Sequence, residues 1–225
     1  MTRVVVSAFS VSLDGFAAGP SQSLENPLGI NGLDLHQWFF DKKVFPPMQG
    51  SGPASQAVDK HYADQALAGS GAFILGRSMF GPQKGPWIDD GWKGWWGPNP
   101  PWHAPCFILT HHPCNPIVME GGTTFHFVTG GIHQALAMAR TAAGPLNVQI
   151  GGGVSTVRQY IEADLVDDLQ ISLSPIILGQ GEPFLTGIDL LARGFSIVER
   201  AVGEYAVHVT LSRDTDQNRA TGIAP

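Results

Sequence analysis

Three consecutive glycines at positions 151–153 constrain this chain more than any other feature of its sequence. A strand-like run at 146–150 precedes them, and the pattern over 154–163 predicts a helix. Glycine has no side chain and costs backbone entropy, so the triplet indicates a sharp turn or a group lying against bare backbone. Because the free N–H groups of a following helix favour an anion, a phosphate cradle is one interpretation. A plain strand–helix turn that needs a positive φ is the other, and the triplet alone leaves both open.

Composition limits the classes of protein that this chain can belong to. The 225 residues suffice for one domain with a full core, and 43% hydrophobic with 14% charged residues is typical of a folded globular protein. The formal net charge of −6 excludes a general attraction to nucleic acid or to an anionic membrane. Any phosphate site must therefore be built locally, from backbone N–H groups and one or two cations.

Cysteine usage and hydropathy indicate the compartment. Two cysteines, Cys106 and Cys114, do not make a disulfide framework, which favours a reducing environment. No apolar run approaches the roughly 20 residues of a membrane span. We therefore expect a soluble cytoplasmic protein. His111, His112 and Cys114 crowd one turn without a second paired cluster, so we expect no metal site.

Strand-like and helix-like patterns alternate along the chain and predict an α/β domain. Its mixed, mostly parallel sheet should be covered on both faces and should close with an antiparallel strand pair around Gly203. We expect one domain over 1–213 and a polar tail over 214–225. In the predicted helix at 56–67, the charged residues Asp59, Lys60 and Asp64 should face solvent. The predicted strands cover 3–10, 72–75, 105–110, 125–128, 147–150, 169–179, 195–199 and 204–211, and further helices cover 131–143 and 154–163.

Polar and glycine residues follow several of these strands, where open α/β sheets bind ligands. Gly76, Arg77 and Ser78 follow one strand, and Arg77 offers a fork of donors for a phosphate. Thr110 leads into His111 and His112 after another strand. Asp14, which precedes Gly15 after the first strand, is either a ligand contact or an ordinary turn residue.

A segment at 81–105 is rich in tryptophan, glycine and proline and has no regular pattern. Long loops in compact domains are usually functional or disordered, and so many aromatic residues argue against disorder. The segment is predicted either to wall a pocket for a flat apolar ligand or to form a subunit interface.

Four segments of the chain, at 12–16, 75–80, 150–153 and 175–181, together resemble the corresponding segments of the dihydrofolate-reductase-like superfamily. The chain looks closest to the branch that includes the reductase domain of the bifunctional riboflavin-biosynthesis deaminase/reductase. The resemblance implies a three-layer α/β/α fold, a homodimer, and NADPH lying across the carboxyl ends of the sheet. The residues that it implies for the cofactor are Gly76, Arg77, Ser78, Thr110, His111, His112, Gly151, Gly152, Gly153 and Val154.

The same resemblance extends to the substrate side. Asp34-Leu35-x-x-Trp38 is similar to the Asp-Leu-x-x-Phe of dihydrofolate reductases, whose acid supports protonation of the substrate. Asp34 also fits an ordinary helix N-cap, so both interpretations stay open. We expect hydride transfer to a flat heterocycle such as a pterin or a riboflavin-pathway intermediate; the alternatives are a nucleotide-binding protein without turnover and an assembly role for the Trp-rich segment. The candidate catalytic residues are Asp34 and Asp14, and the candidate substrate contacts are Asp14, Phe16, His36 and Trp38.

Overall fold

A computed structural model describes residues 2–40, 46–88 and 91–213. The strands are β1 (Val4–Ser12), β2 (Phe16–Ala18), β3 (Ser70–Gly76), β4 (Pro105–Leu109), β5 (Ile117–Val118), β6 (Thr124–Val128), β7 (Asn147–Gly152), β8 (Asp168–Ser174), β9 (Glu182–Pro183), β10 (Phe195–Val202) and β11 (Val207–Arg213). The helices are α1 (Pro53–Gln65), α2 (Arg77–Phe80), α3 (Gly131–Ala143) and α4 (Val154–Glu162), and 3-10 helices cover Gly32–His36 and Glu120–Gly122.

Nine of the strands form one mixed sheet in the order β10-β11-β8-β1-β7-β3-β4-β6-β5. The pairings from β8 to β6 are all parallel, whereas β11 and β10 add antiparallel strands at one side and β5 at the other. The predicted mixed sheet with a closing antiparallel pair is therefore confirmed. Because six neighbouring strands run in one direction, their carboxyl ends meet at one edge, which we call the carboxyl edge.

Alternation along the strands divides the core between two faces of the sheet. Ala72 and Ile74 of β3 pack in the cluster that contains the apolar residues of α3 and α4. Phe73 and Leu75 of the same strand pack on the other face, with Phe80 of α2 and the Trp-rich segment. A third cluster on that second side joins α1 to the β10–β11 hairpin. The expected three-layer arrangement is thus present, with aromatic loop residues completing the second layer.

The Trp-rich segment packs in the chain's own core. Trp102 is 9% exposed, and Trp87, Trp92 and Trp96 pack beside it over β3, β4 and β6. Edge-to-face contacts join Trp96 to Trp102, and Trp102 to Phe125. The segment therefore takes the place of a helix on this part of the sheet.

Three expectations need correction. Asp34 is not a helix N-cap, because it lies in the first turn of a 3-10 helix that follows Asn31. The strand β8 ends at Ser174 rather than continuing to 179 as predicted, since Pro175 cannot donate to the ladder. Asp59 is buried at 5% exposure rather than facing solvent, because partners from β11 and the turn before it surround its carboxylate. The predicted tail at 214–225 lies outside the described residues, and the domain boundary at 213 stays a prediction.

Candidate functional site

The carboxyl edge brings the glycine triplet beside the start of α2. Leu75 of β3 pairs with Gly152 of β7, so Gly76 lies next to Gly153. A Cβ atom placed on Gly76 would collide with the Thr156 hydroxyl and would lie 3.3 Å from the backbone nitrogen of Gly153. Two strand ends that are far apart in sequence therefore approach each other through bare backbone.

The three glycines are not equivalent. A Cβ on Gly151 would lie 2.6 Å from a methyl group of Leu75. Gly152 has φ 125°, and a Cβ on it would lie 2.9 Å from the Met79 sulfur. A Cβ on Gly153, in contrast, would meet no heavy atom within 4 Å. The peptide bond between Gly152 and Gly153 is cis. Packing and conformation thus account for the first two glycines, and the third presents its backbone to open space at the start of α4, where first-turn N–H groups lack helical acceptors.

Arg77 is held at this edge by three contacts. Its Nε donates to the carbonyl of Gln83 at 3.0 Å, and its Nη1 donates to the Thr110 hydroxyl at 3.3 Å. The guanidinium carbon lies 3.7 Å from the centroid of the Trp87 ring. The remaining nitrogen, Nη2, is buried and has no hydrogen-bond partner. Burial lowers the pKa of Arg77, and Cys114 opposes that shift, but an arginine stays charged in either case.

The residues that follow β4 complete this corner. Thr110 is 8% exposed, and its hydroxyl accepts from the backbone N–H of His112 at 3.2 Å. His111 is exposed, His112 is half-buried, and Ser78 is exposed at the start of α2. The structure therefore brings Arg77, Thr110 and His112 together, with His111 and Ser78 at the rim.

Asp14 connects two loops of the carboxyl edge. Its carboxylate accepts from the Ser12 hydroxyl at 2.6 Å and from the backbone N–H groups of Leu178 and Gly179 at 3.1 and 2.7 Å. The Ser12 hydrogen bond, followed by those from the backbone, lowers the pKa of Asp14. Phe16 begins β2 beside this turn and pairs with Pro183 of β9. Asp14 is thus ionised and engaged in joining the loops.

Asp34 and His36 lie on the 3-10 helix, which is tied to the carboxyl edge because Ser174 donates its hydroxyl hydrogen to the carbonyl of Leu35. Asp34 is half-buried. The Nδ1 atom of His36 is buried without a hydrogen-bond partner. Burial lowers the pKa of His36 to about 4, and a hydrogen bond with the backbone of Gly32 opposes the shift only in part. The catalytic role of Asp34 stays a prediction.

Trp38 lies in the core, at 3% exposure. Its indole N–H donates to the Ser10 hydroxyl at 2.9 Å, and its ring meets His208 edge-on. This position accounts for Trp38 as a packing residue, and contact with a substrate stays a prediction for it, as it does for Phe16 and His36.

A cleft of about 430 Å³ opens between the first turn of α4 and the loop at 181–186. Val154, Ser155 and Arg158 line one side, and Arg158 holds the other side by donating to the carbonyls of Phe184 and Thr186 at 2.6 and 3.0 Å. A separate cavity of about 170 Å³ lies under α1, beside Ser7 in the middle of β1, and so away from this edge.

Sequence reasoning missed two residues of this region. The Thr156 hydroxyl lies against the backbone of Gly76. The position of Thr156 in the first turn of the predicted helix, three residues after Gly153, could have indicated this contact. Trp87 covers Arg77, and nothing in the sequence distinguished it from its neighbouring tryptophans. Among the residues that the structure describes, no group of three or more His, Cys, Asp or Glu side chains is arranged to hold a metal ion. Nor is any helix in these ranges long and apolar enough to cross a membrane.

This nine-stranded mixed sheet, with its helices and aromatic loop on two faces, has the fold of dihydrofolate reductase. The family model of the RibD C-terminal domain matches residues 3–202, and the chain belongs to that family. No curated protein matches the chain.

Solved structures with low sequence identity share the fold. A candidate riboflavin biosynthesis protein from Shewanella sp. PV-4 is 19% identical with a TM-score of 0.53, covering 96% of this chain and 100% of its own. Dihydrofolate reductase from Enterococcus faecalis, complexed with NADP(H) and RAB-propyl, is 16% identical with a TM-score of 0.53, over 96% and 97% of the two chains. The Thermotoga maritima diaminohydroxyphosphoribosylaminopyrimidine deaminase/5-amino-6-(5-phosphoribosylamino)uracil reductase is 12% identical with a TM-score of 0.54, over 95% of this chain and 57% of that one.

Proposed function

We propose that this protein is an NADPH-dependent reductase that transfers hydride to a flat heterocyclic substrate, of the pterin or riboflavin-pathway type. The family is one of reductases, and the dihydrofolate reductase of the same fold is complexed with NADP(H). The observation that carries the proposal is the buried Nη2 of Arg77, which has no partner inside the chain. A buried cationic donor left in this state costs free energy, and a phosphate oxygen would satisfy it.

Different residues at the carboxyl edge would bind different parts of the cofactor. Arg77 and Thr110, with His111, His112 and Ser78 at the rim, would bind the phosphate of the adenosine end. Gly76, the backbone of Gly151–Gly153 and the first turn of α4 from Val154 would bind the pyrophosphate, because they offer N–H groups without side chains in the way. NADPH, when bound, supplies the hydride.

The proton must come from a group near the substrate. Asp14 is poorly suited to donate it, since its lowered pKa keeps it ionised and three hydrogen bonds already occupy its carboxylate. We therefore assign this role to Asp34, directly or through a water, and we place the substrate between the 3-10 helix and the loop after β8. Phe16, His36 and Trp38 lie on or beside these elements.

A second candidate function is NADP(H) binding without turnover. The engagement of Asp14 favours it, because one of the two candidate acids is then a loop tether. Assembly through the Trp-rich segment has less support, since the described tryptophans at 87, 92, 96 and 102 pack within the chain. A homodimer in the cytoplasm stays a prediction; exposed Ile197, Val198 and Val202 on the outermost strand β10 support self-association, which light scattering would measure.

Calorimetric titration with NADPH and NADH tests the cofactor. We expect micromolar binding of NADPH, and Arg77→Ala should weaken NADPH by at least about tenfold and NADH by no more than about twofold, since only NADPH carries the 2′-phosphate. Arg140→Ala removes the same charge from the exposed face of α3 and is the matched control. Equal loss for both nucleotides would refute the phosphate role, and no binding by the wild type would refute the proposal. A panel of pterins and aminopyrimidines, followed by NADPH oxidation, then separates the reductase from the binding protein.

A further inference from the structure

The indole of Trp87 covers one face of the Arg77 guanidinium. The guanidinium carbon lies 3.7 Å from the ring centroid, well inside the roughly 6 Å over which a cation is attracted to an aromatic face. Trp87 belongs to the Trp-rich segment, and Arg77 opens α2, ten positions earlier in the chain. The contact therefore connects an irregular loop to the proposed phosphate site.

Trp87 is itself fixed by contacts that do not involve Arg77. Its indole N–H donates to the carbonyl of His112 at 2.7 Å, directly after Thr110 and His111. Its ring also packs edge-on against Phe80 and Phe127, with centroids 5.8 and 4.9 Å apart. The ring thus has a set position on the loop after β4 and on the aromatic cluster, and it offers Arg77 a rigid surface.

The remaining contacts of Arg77 complete its orientation. Nε and Nη1 are used by Gln83 and Thr110, and only Nη2 is left without a partner. A free arginine side chain has many accessible rotamers, and it would lose that conformational entropy on binding a phosphate. Because the indole face and two hydrogen bonds already hold the guanidinium, most of that loss is taken during folding, and the donor is oriented before the ligand arrives.

We infer that Trp87 is a specificity-determining residue, which favours NADPH over NADH by holding Arg77 with its free donor directed to the 2′-phosphate. The inference rests on the proposed function, and it assigns to Trp87 a positioning role, because it acts through Arg77. It also gives one member of the Trp-rich segment a role beyond packing. The other described tryptophans of that segment make no such contact with Arg77.

Calorimetric titration of NADPH and NADH against Trp87→Leu tests the inference. We expect NADPH affinity to fall about tenfold and NADH affinity to change less than about twofold, since only the oriented phosphate contact is lost. Trp87→Phe keeps an aromatic face but loses the hydrogen bond to His112, so we expect about a threefold fall in the NADPH preference. In the double variant Trp87→Leu/Arg77→Ala, the preference should be no lower than in Arg77→Ala alone, because both changes remove one interaction.

Trp96→Leu is the matched control, because Trp96 packs on the same cluster and its ring contacts Trp102 and Phe125. It should leave the NADPH-to-NADH ratio unchanged even where it lowers stability. A folded Trp87→Leu that keeps the wild-type ratio overturns the inference alone. If Trp87→Leu does not fold, Trp87→Phe decides in the same way. A wild type that binds neither nucleotide, or both equally, overturns the proposed cofactor preference and the inference with it.

Discussion

Two groups of polar side chains differ in whether the protein itself supplies their partners. Under α1, the buried Asp59 binds His208 Nε2 with Oδ1 at 2.8 Å and accepts two backbone N–H groups with Oδ2. His208 Nδ1 in turn meets the Ser172 hydroxyl at 3.0 Å, and Gln170 donates to the same oxygen. At the carboxyl edge, by contrast, Arg77 Nη2 and His36 Nδ1 are buried without partners.

This difference separates polar residues that stabilise the fold from those that we propose bind a ligand. The group around Asp59 resembles a hydrolytic triad in its order of acid, imidazole and hydroxyl. However, Ser172 and His208 are both fully buried, and Tyr62 stacks on the imidazole with centroids 4.1 Å apart, so no substrate reaches them. A satisfied buried network specifies packing, whereas a buried donor without a partner at the carboxyl edge supports the proposed phosphate site.

The largest expected effect comes from removing the centre of the satisfied network. Asp59→Ala should cost about 3 kcal/mol or more of unfolding free energy, because it leaves an imidazole and two backbone N–H groups buried without an acceptor. Urea denaturation measures the loss. Asp64→Ala on the same helix removes only an exposed pair with Lys60 and should change stability by about 0.5 kcal/mol or less. Similar losses in both variants would contradict the comparison.

The sequence predicted the carboxyl edge better than it predicted this network. Glycine and arginine residues that directly follow apolar strands predict a ligand site from local sequence alone, because parallel strands bring their carboxyl ends to one edge of the sheet. Gly76 and Gly153 could therefore be placed at one edge of the sheet, and the resemblance to the superfamily implied one cofactor for both. The Asp59–His208 pair spans 149 positions, and a charged residue in a helical pattern gives no sign of a distant partner.

The same limit applies to Asp34 and Trp87. An Asp before apolar residues fits an N-cap, but the 3-10 helix begins earlier, at Gly32 after Asn31, so Asp34 lies inside its first turn. The Trp-rich segment has no period, so which indole reaches Arg77 depends on how the segment folds over β3, β4 and β6. Long-range aromatic contacts of this kind have no local signal.

The folding stability should depend on pH through His36, one of the two residues with a buried nitrogen that has no partner. The folded-state pKa of His36, about 4, lies below its ordinary value of 6.5, so between these values the unfolded chain binds a proton that the folded chain does not. Stability must therefore fall as the pH falls through this window, by at most about 2 kcal/mol from pH 7 to pH 5. The His36→Phe variant should lack this fall in stability between pH 7 and pH 5, as measured by urea denaturation at both pH values. Equal pH dependence in wild type and variant would show that His36 is protonated as freely as in the unfolded chain.

The smallest effect is expected at Asp14, where the protein supplies partners but water can replace them. Asp14→Ala removes the acceptor shared by Ser12, Leu178 and Gly179, so amide hydrogen exchange at Leu178 and Gly179 should accelerate about tenfold while global stability changes little. Glu25→Ala, in the neighbouring exposed loop, is the control and should leave these amides unchanged. If Asp14 is only a tether, the variant also keeps NADPH oxidation within about tenfold of wild type with any substrate that is turned over. A complete loss of turnover with unchanged exchange would instead make Asp14 the acid, and would move it to the group of residues that act on a ligand.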